Sequence, residues 1–98
     1  MKVSQQRAED AIYLNHAVRA MTNRSVSITD VENALTEPDV VWGPDHRGRY
    51  NFGHGDICVV ANPGEERVVI VTVLWREQQQ WTDEEMRRRN GGTDRANR

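Results

Sequence analysis

The first third of the chain carries apolar residues at helical spacing. They recur at intervals of three or four, which predicts one amphipathic helix over residues 5–22 with Ser4 as its N-cap. At about 100° per residue, His16 and Arg19 lie on the side of this helix that faces away from the apolar stripe. The residues of the predicted buried stripe are Ala11, Leu14, Val18 and Met21.

A second, shorter helix is predicted just before Pro38, which ends it. Thr29 and Glu32 have the spacing of a capping box, in which each side chain bonds to the other residue's backbone N–H. The predicted buried face of this helix comprises Val31, Ala34 and Leu35.

After Pro38 the apolar residues alternate with a period of two, which is typical of β-strands separated by Gly-rich and Pro-rich turns. The last strand is apolar on both faces, which is typical of a strand covered on both sides. The predicted strands span residues 40–42, 49–53, 57–61 and 67–75.

The order of these elements predicts the fold class. We expect an α+β fold in which two N-terminal helices pack on one face of a four-stranded antiparallel sheet. The single domain is expected to span residues 1–89, with a further helix at residues 81–89 and a flexible tail at residues 90–98. The face of such a sheet that the helices do not cover is available to a ligand.

Composition narrows the function classes. The chain has 98 residues and a net charge of −2, which argues against a whole-surface nucleic-acid binder but leaves room for a local basic site. Lys2 is the only lysine beside twelve arginines; this bias fits either bidentate phosphate binding or codon usage in an actinobacterial or phage genome. Without a long apolar run or a signal-like N-terminus, we expect no membrane association and a cytoplasmic location.

Cysteine and histidine usage bears on metals and disulfides. Cys58 is the only cysteine, so no disulfide within the chain and no cysteine-rich zinc site is expected, and its apolar neighbours predict a buried thiol. The histidines His16, His46 and His54 have no metal-ligand spacing. We therefore expect no metal and no cofactor.

Three side chains suggest catalysis if the fold brings them together. His16 would act as general base or acid, Arg49 would hold a phosphate and stabilise its developing charge, and Thr72 would orient the transferred group. This set suits metal-free RNA cleavage, in which the ribose 2′-hydroxyl attacks the adjacent phosphate. Alternatively, His16 is an idle surface residue and Thr72 only a strand former.

A resemblance to a known family supports this hypothesis. Residues 16–27 begin His-Ala and have Met five and Arg eight positions after the histidine, and residues 69–73 form an apolar strand that contains Thr. Over about residues 12–75 the chain resembles a family of small bacterial and phage proteins known as a domain of unknown function. That family is distantly similar to RelE-type and barnase-like ribonuclease toxins, in which helices precede a four-stranded antiparallel sheet that carries the active site.

The resemblance implies functional roles for His16, Arg24, Arg49 and Thr72. The chain departs from the family pattern at Ala20, where the pattern has an arginine. It also lacks the sheet lysines and the late tyrosine of RelE-type toxins. Ribosome-dependent cleavage is therefore not expected.

Two functions remain as hypotheses. The first is a toxin-type, metal-independent endoribonuclease, a monomer or homodimer that acts on RNA; a cognate antitoxin and a host protein both stay open as its protein partner. Its predicted catalytic residues are His16, Arg49 and Thr72, and its predicted RNA-binding residues are Arg19, Arg24 and His54.

The second hypothesis is a non-catalytic phage or mobile-element module that binds a host protein. It is favoured by the three tryptophans Trp42, Trp75 and Trp81, because exposed tryptophan is enriched in binding hot spots.

Overall fold

The computed structural model describes residues 1–76, which form three helices and one five-stranded sheet. The predicted helix at residues 81–89 and the tail at residues 90–98 lie outside the described residues. The helices are α1 (Gln5–Glu9), α2 (Asn15–Arg24) and α3 (Ile28–Thr36). The strands are β1 (Ile12–Tyr13), β2 (Val40–Trp42), β3 (Tyr50–His54), β4 (Ile57–Asn62) and β5 (Val69–Trp75).

The sheet order is β1-β5-β4-β3-β2. Strands β2 to β5 form the predicted antiparallel meander, and the α+β class is confirmed. The structure has a fifth strand, β1, that the sequence does not predict. It pairs in parallel with β5 at the edge of the sheet. Two residues are too few to show a strand period, so this edge strand has no recognisable signal in the sequence.

The single helix predicted over residues 5–22 is wrong in its middle. The N–H groups of Ile12 and Leu14 bond to the carbonyls of Val68, just before β5, and Ile70, within β5, instead of to carbonyls one helical turn back. The break changes the helical phase, so that Leu14 and Val18 are 41% and 48% exposed instead of buried. The residues that α2 buries are Ala17, Ala20 and Met21.

Helix α3 begins with a different capping box from the predicted one. The Ser27 hydroxyl accepts a hydrogen bond from the Asp30 N–H at 3.1 Å, and the Asp30 carboxylate accepts one from the Ser27 N–H at 3.0 Å. Helix α3 therefore begins at Ile28 rather than after Thr29. Its predicted buried face is confirmed and consists of Val31, Ala34 and Leu35.

The two sides of the sheet differ in what covers them. On the side that we call the core face, Phe52 pairs with Val59, Val59 pairs with Val73, and all three belong to one cluster with buried residues of α1, α2 and α3. The alternate positions of the same strands point to the opposite side, the second face. An irregular register at Val71 lets Thr72 join the second face. The second face comprises Val40, Trp42, Asn51, Gly53, Cys58, Val60, Thr72 and Leu74.

Candidate functional site on the second sheet face

A row of four side chains crosses the second face. Trp42 pairs with Asn51, Asn51 with Val60, and Val60 with Thr72, in strands β2, β3, β4 and β5. Directly opposed residues have Cβ atoms about 5 Å apart, so neighbouring side chains of this row lie side by side on the sheet. The row places an indole, an amide and a hydroxyl on one side of the sheet.

Asn51 is the buried polar residue of this row. It is 9% exposed, and it is the one polar residue in the buried class among residues 1–76. Within that part of the chain, its amide forms no side-chain hydrogen bond. Asn51 is not among the buried polar side chains whose atoms lack a partner, so its amide reaches the surface, where a hydrogen-bonding ligand can approach it.

A second row runs beside the first and contains Gly53 and Cys58, which pair with each other. Cys58 is fully buried, which confirms the expected burial of its thiol. A Cβ at Gly53 would lie 3.1 Å from the Cζ of Arg76, so the glycine leaves space for this guanidinium.

Arg76 closes one end of the second face. Its Cζ lies 5.6 Å from the centre of the Trp42 ring, which is a cation–π distance. Its Nη2 forms a 3.0 Å ion pair with Asp39, and its Nη1 donates to the carbonyl of Gly55 at 2.8 Å. The Gly55 N–H and the Arg76 guanidinium together hold the pKa of Asp39 below its usual value.

Arg49 lies at the other end, one residue before β3. Its Nε forms a 3.0 Å ion pair with Asp45, whose side chain is only 10% exposed. Burial alone would raise the pKa of Asp45, but the N–H groups of Arg49 and Arg47 and the Arg49 guanidinium together hold it below its usual value. A phosphate at Arg49 would therefore compete with Asp45.

The predicted catalytic set does not converge. His16 is exposed on α2, and α2 packs on the core face through Ala17 and Met21. Thr72 pairs with Val60 on the second face, so the sheet itself separates it from His16. The convergence that the catalytic hypothesis requires is therefore not found for His16 and Thr72. The sequence does not reveal which sheet face α2 covers.

The predicted RNA-binding residues are also dispersed. Arg19 is exposed and Arg24 half-buried, and both belong to α2. With α1 and α3, this helix forms the helical layer on the core face. His54 lies at the end of β3, where its Nδ1 is 2.7 Å from the carbonyl oxygen of Glu37. Of the six predicted site residues, only Arg49 and Thr72 belong to the second face or its rim.

Sequence reasoning missed Trp42, Asn51 and Arg76 as site residues. The alternation in residues 49–53 does predict that Arg49 and Asn51 point the same way. That signal could have identified Asn51, but its neighbours depend on strand register, which the sequence alone does not give.

Two other features were sought among the described residues, a metal-binding cluster and a membrane-spanning helix. Residues 1–76 contain no cluster of three or more His, Cys, Asp or Glu side chains that could hold a metal ion. Over the same residues, no helix has the length and apolar character needed to cross a bilayer.

Comparison with known proteins gives one family. No match was found among curated proteins or among solved structures. One family model matches residues 13–75, which run from β1 to the end of β5 and include the whole row from Trp42 to Thr72. The match spans well over half of the chain, and the protein therefore belongs to the family described as domain of unknown function DUF4258.

Proposed function

We propose that the protein is an RNA-binding domain, distantly related to RelE-type and barnase-like ribonuclease toxins, that contacts single-stranded RNA through the second face. The observation that carries the proposal is the row Trp42–Asn51–Val60–Thr72, which presents a ring, an amide and a hydroxyl side by side. The helices of the described residues all pack on the core face, so none of them covers this row.

Each group of the row matches a feature of single-stranded RNA. Aromatic rings stack on unpaired bases, and amide and hydroxyl groups bond to base edges and to the ribose 2′-hydroxyl. Arg49 and Arg76, at the two ends of the face, are suited to bind phosphates, since a guanidinium donates two parallel hydrogen bonds. Both are paired with a carboxylate, so we expect modest affinity that decreases with salt.

We propose RNA binding for this face and assign no general base to it. Asp39 and Asp45 adjoin the face, but their lowered pKa values make them weak proton acceptors at neutral pH. His16 lies in the helical layer, on the other side of the sheet. We therefore expect His16→Ala to leave RNA affinity unchanged.

Fluorescence anisotropy with a labelled 12-nucleotide single-stranded RNA of mixed sequence tests the proposal. The full-length protein should bind, with affinity that decreases as KCl increases. Trp42→Ala should weaken binding about 5- to 150-fold, the range expected for the loss of one stacked base. Ile28→Ala is the control, since Ile28 is 57% exposed on α3 in the helical layer.

Two results would contradict the proposal. One is the absence of salt-sensitive binding at low ionic strength by protein whose thermal unfolding shows that it is folded. The other is an equal loss of affinity in Trp42→Ala and Ile28→Ala, because that would remove the second face from the interaction.

A second candidate function, binding to a host protein or an antitoxin, is favoured by a separate surface. Ile12, Leu14 and Val18 are each 40–48% exposed where β1 leads into α2, at the edge of the sheet. Exposed apolar residues in one place are typical of protein interfaces. A photo-crosslinker at position 18 that gives one protein adduct of defined mass in producing cells, together with no RNA binding in vitro, would favour this candidate.

A further inference from the structure

The amide of Asn51, on β3, has unused hydrogen-bonding capacity on the second face. Asn51 is nine-tenths buried, and no side chain or backbone group of residues 1–76 bonds to its amide. The amide is not among the buried polar atoms that lack a partner, so its atoms reach the surface. An amide carries one acceptor oxygen and one NH2 donor group beside each other. A ligand with a donor and an acceptor at matching spacing would satisfy both.

The neighbours of Asn51 are suited to a flat ligand. Val60 lies directly across on β4 and the half-buried Trp42 directly across on β2. The Arg76 guanidinium lies against the Trp42 ring, in the space left by Gly53. An indole ring and a guanidinium are both planar groups on which unpaired bases stack. A planar ligand with a hydrogen-bonding edge is a nucleobase.

We propose that Asn51 reads an adenine base that stacks on Trp42; this inference rests on the proposed RNA binding. The N6 amino group and N7 of adenine provide the donor and the acceptor that a side-chain amide binds in bidentate fashion. A purine also presents a larger stacking surface than a pyrimidine. The second face is therefore a site for an unpaired adenine in single-stranded RNA, with Asn51 as its specificity-determining residue.

Competition between ribo-oligonucleotides tests the inference. The full-length protein should bind 12-nucleotide oligo(A) about 5- to 150-fold more tightly than oligo(C), the range expected for one bidentate base contact. Oligo(A) that contains 7-deazaadenosine, which lacks the N7 acceptor, should lose most of this preference. Asn51→Ala should bind both oligonucleotides with the affinity that the wild type has for oligo(C).

Matched controls separate base reading from damage to the fold. Asn23→Ala removes an exposed amide from α2 and should leave the oligo(A) preference unchanged. Asn51→Asp keeps the side-chain size but removes the NH2 donor, and it should also lose the preference. The 7-deaza comparison uses wild-type protein, so it stays informative if Asn51→Ala is unstable.

The outcomes distinguish this inference from the proposed function. Binding of all oligonucleotides without an adenine preference, or a preference that Asn51→Ala and 7-deazaadenosine leave intact, would overturn the role of Asn51 while RNA binding stands. Failure to bind any oligonucleotide would overturn both.

Discussion

The two faces of one sheet differ although the same strands form both. On the core face Phe52, Val59, Ile70 and Val73 are fully buried beneath the helical layer. On the second face Trp42, Val60, Thr72 and Leu74 are half-buried, and polar side chains alternate with apolar ones. The buried residues of this face include Cys58 and Asn51. Stability and candidate function are therefore carried by alternate residues of the same strands.

Within residues 1–76, each face has a polar group that lacks a hydrogen-bond partner, and the two groups differ in their access to solvent. The hydroxyl of Tyr13 is buried and unpaired on the core side, and burial and the nearby Glu32 raise its pKa. That oxygen is sealed from solvent, so no ligand reaches it. Asn51 keeps 9% exposure on a face without a described helix. An unpaired group indicates a binding site only where a ligand can approach it.

The largest expected effect compares two neighbours in β3. Phe52→Ala should destabilise the protein by about 3–5 kcal/mol, because it leaves a cavity where the strands meet the helices. A domain of this size has about 5–15 kcal/mol of stability in total, so this loss would be severe. Asn51→Ala should change stability by less than about 1 kcal/mol, because it removes an amide that has no hydrogen-bond partner among residues 1–76.

Urea unfolding followed by circular dichroism measures both variants. The midpoint of Phe52→Ala should fall sharply with an unchanged slope, while that of Asn51→Ala stays near the wild-type value. If both substitutions destabilised the protein equally, Asn51 would belong to the structural core, and the contrast between the faces would disappear.

The sequence predicted the elements whose signal is local. Alternating residues after Pro38 gave the four antiparallel strands, and the apolar spacing in α3 gave its buried face. It did not reveal β1, because two residues show no period, nor the break between α1 and α2, because the N–H groups there bond to β5, which is distant in the sequence. An element whose hydrogen-bond partners are distant in the sequence cannot be predicted from the local pattern of apolar residues.

The candidate site was predictable only in part for the same reason. The sequence identifies Thr72 as the single hydroxyl of an apolar strand and Arg49 as a charged residue of a predicted strand. Their relation to Trp42 and Asn51 follows from a register that four strands fix together. His16 was assigned to the site because it faces away from an apolar stripe, but no spacing along a helix tells which side of a sheet that helix covers.

A smaller effect is expected in the helical layer that completes the core face. Ser27→Ala removes the side-chain acceptor of the α3 capping box and should cost about 1 kcal/mol. Thr29→Ala is the matched control, because Thr29 is exposed and is not the N-cap. Thermal unfolding should show a lower midpoint for Ser27→Ala alone. A loss in Thr29→Ala of equal size would instead support the capping box predicted from the sequence.

The smallest expected change in stability concerns the ion pair between Asp45 and Arg49 at one end of the second face. Asp45 has a folded-state pKa below its unfolded value, so its carboxylate stabilises the fold above the unfolded pKa near 3.8, and this contribution is lost as pH falls through the folded pKa. Asp45→Asn keeps an oxygen for the N–H groups of Arg47 and Arg49 but loses the ion pair. It should therefore be less stable than wild type at pH 7, by about 1 kcal/mol or less.

Urea unfolding at several pH values distinguishes this ion pair from a general charge effect. The difference between wild type and Asp45→Asn should shrink below pH 4 and vanish once the wild-type carboxylate is protonated. Glu66→Gln, in the exposed loop between β4 and β5, is the control, because it removes a negative charge that forms no ion pair within residues 1–76. A difference that persists unchanged at low pH would mean that Asp45 acts through its shape alone. Arg49 would then be held less firmly than the geometry implies, and a phosphate would meet less competition there.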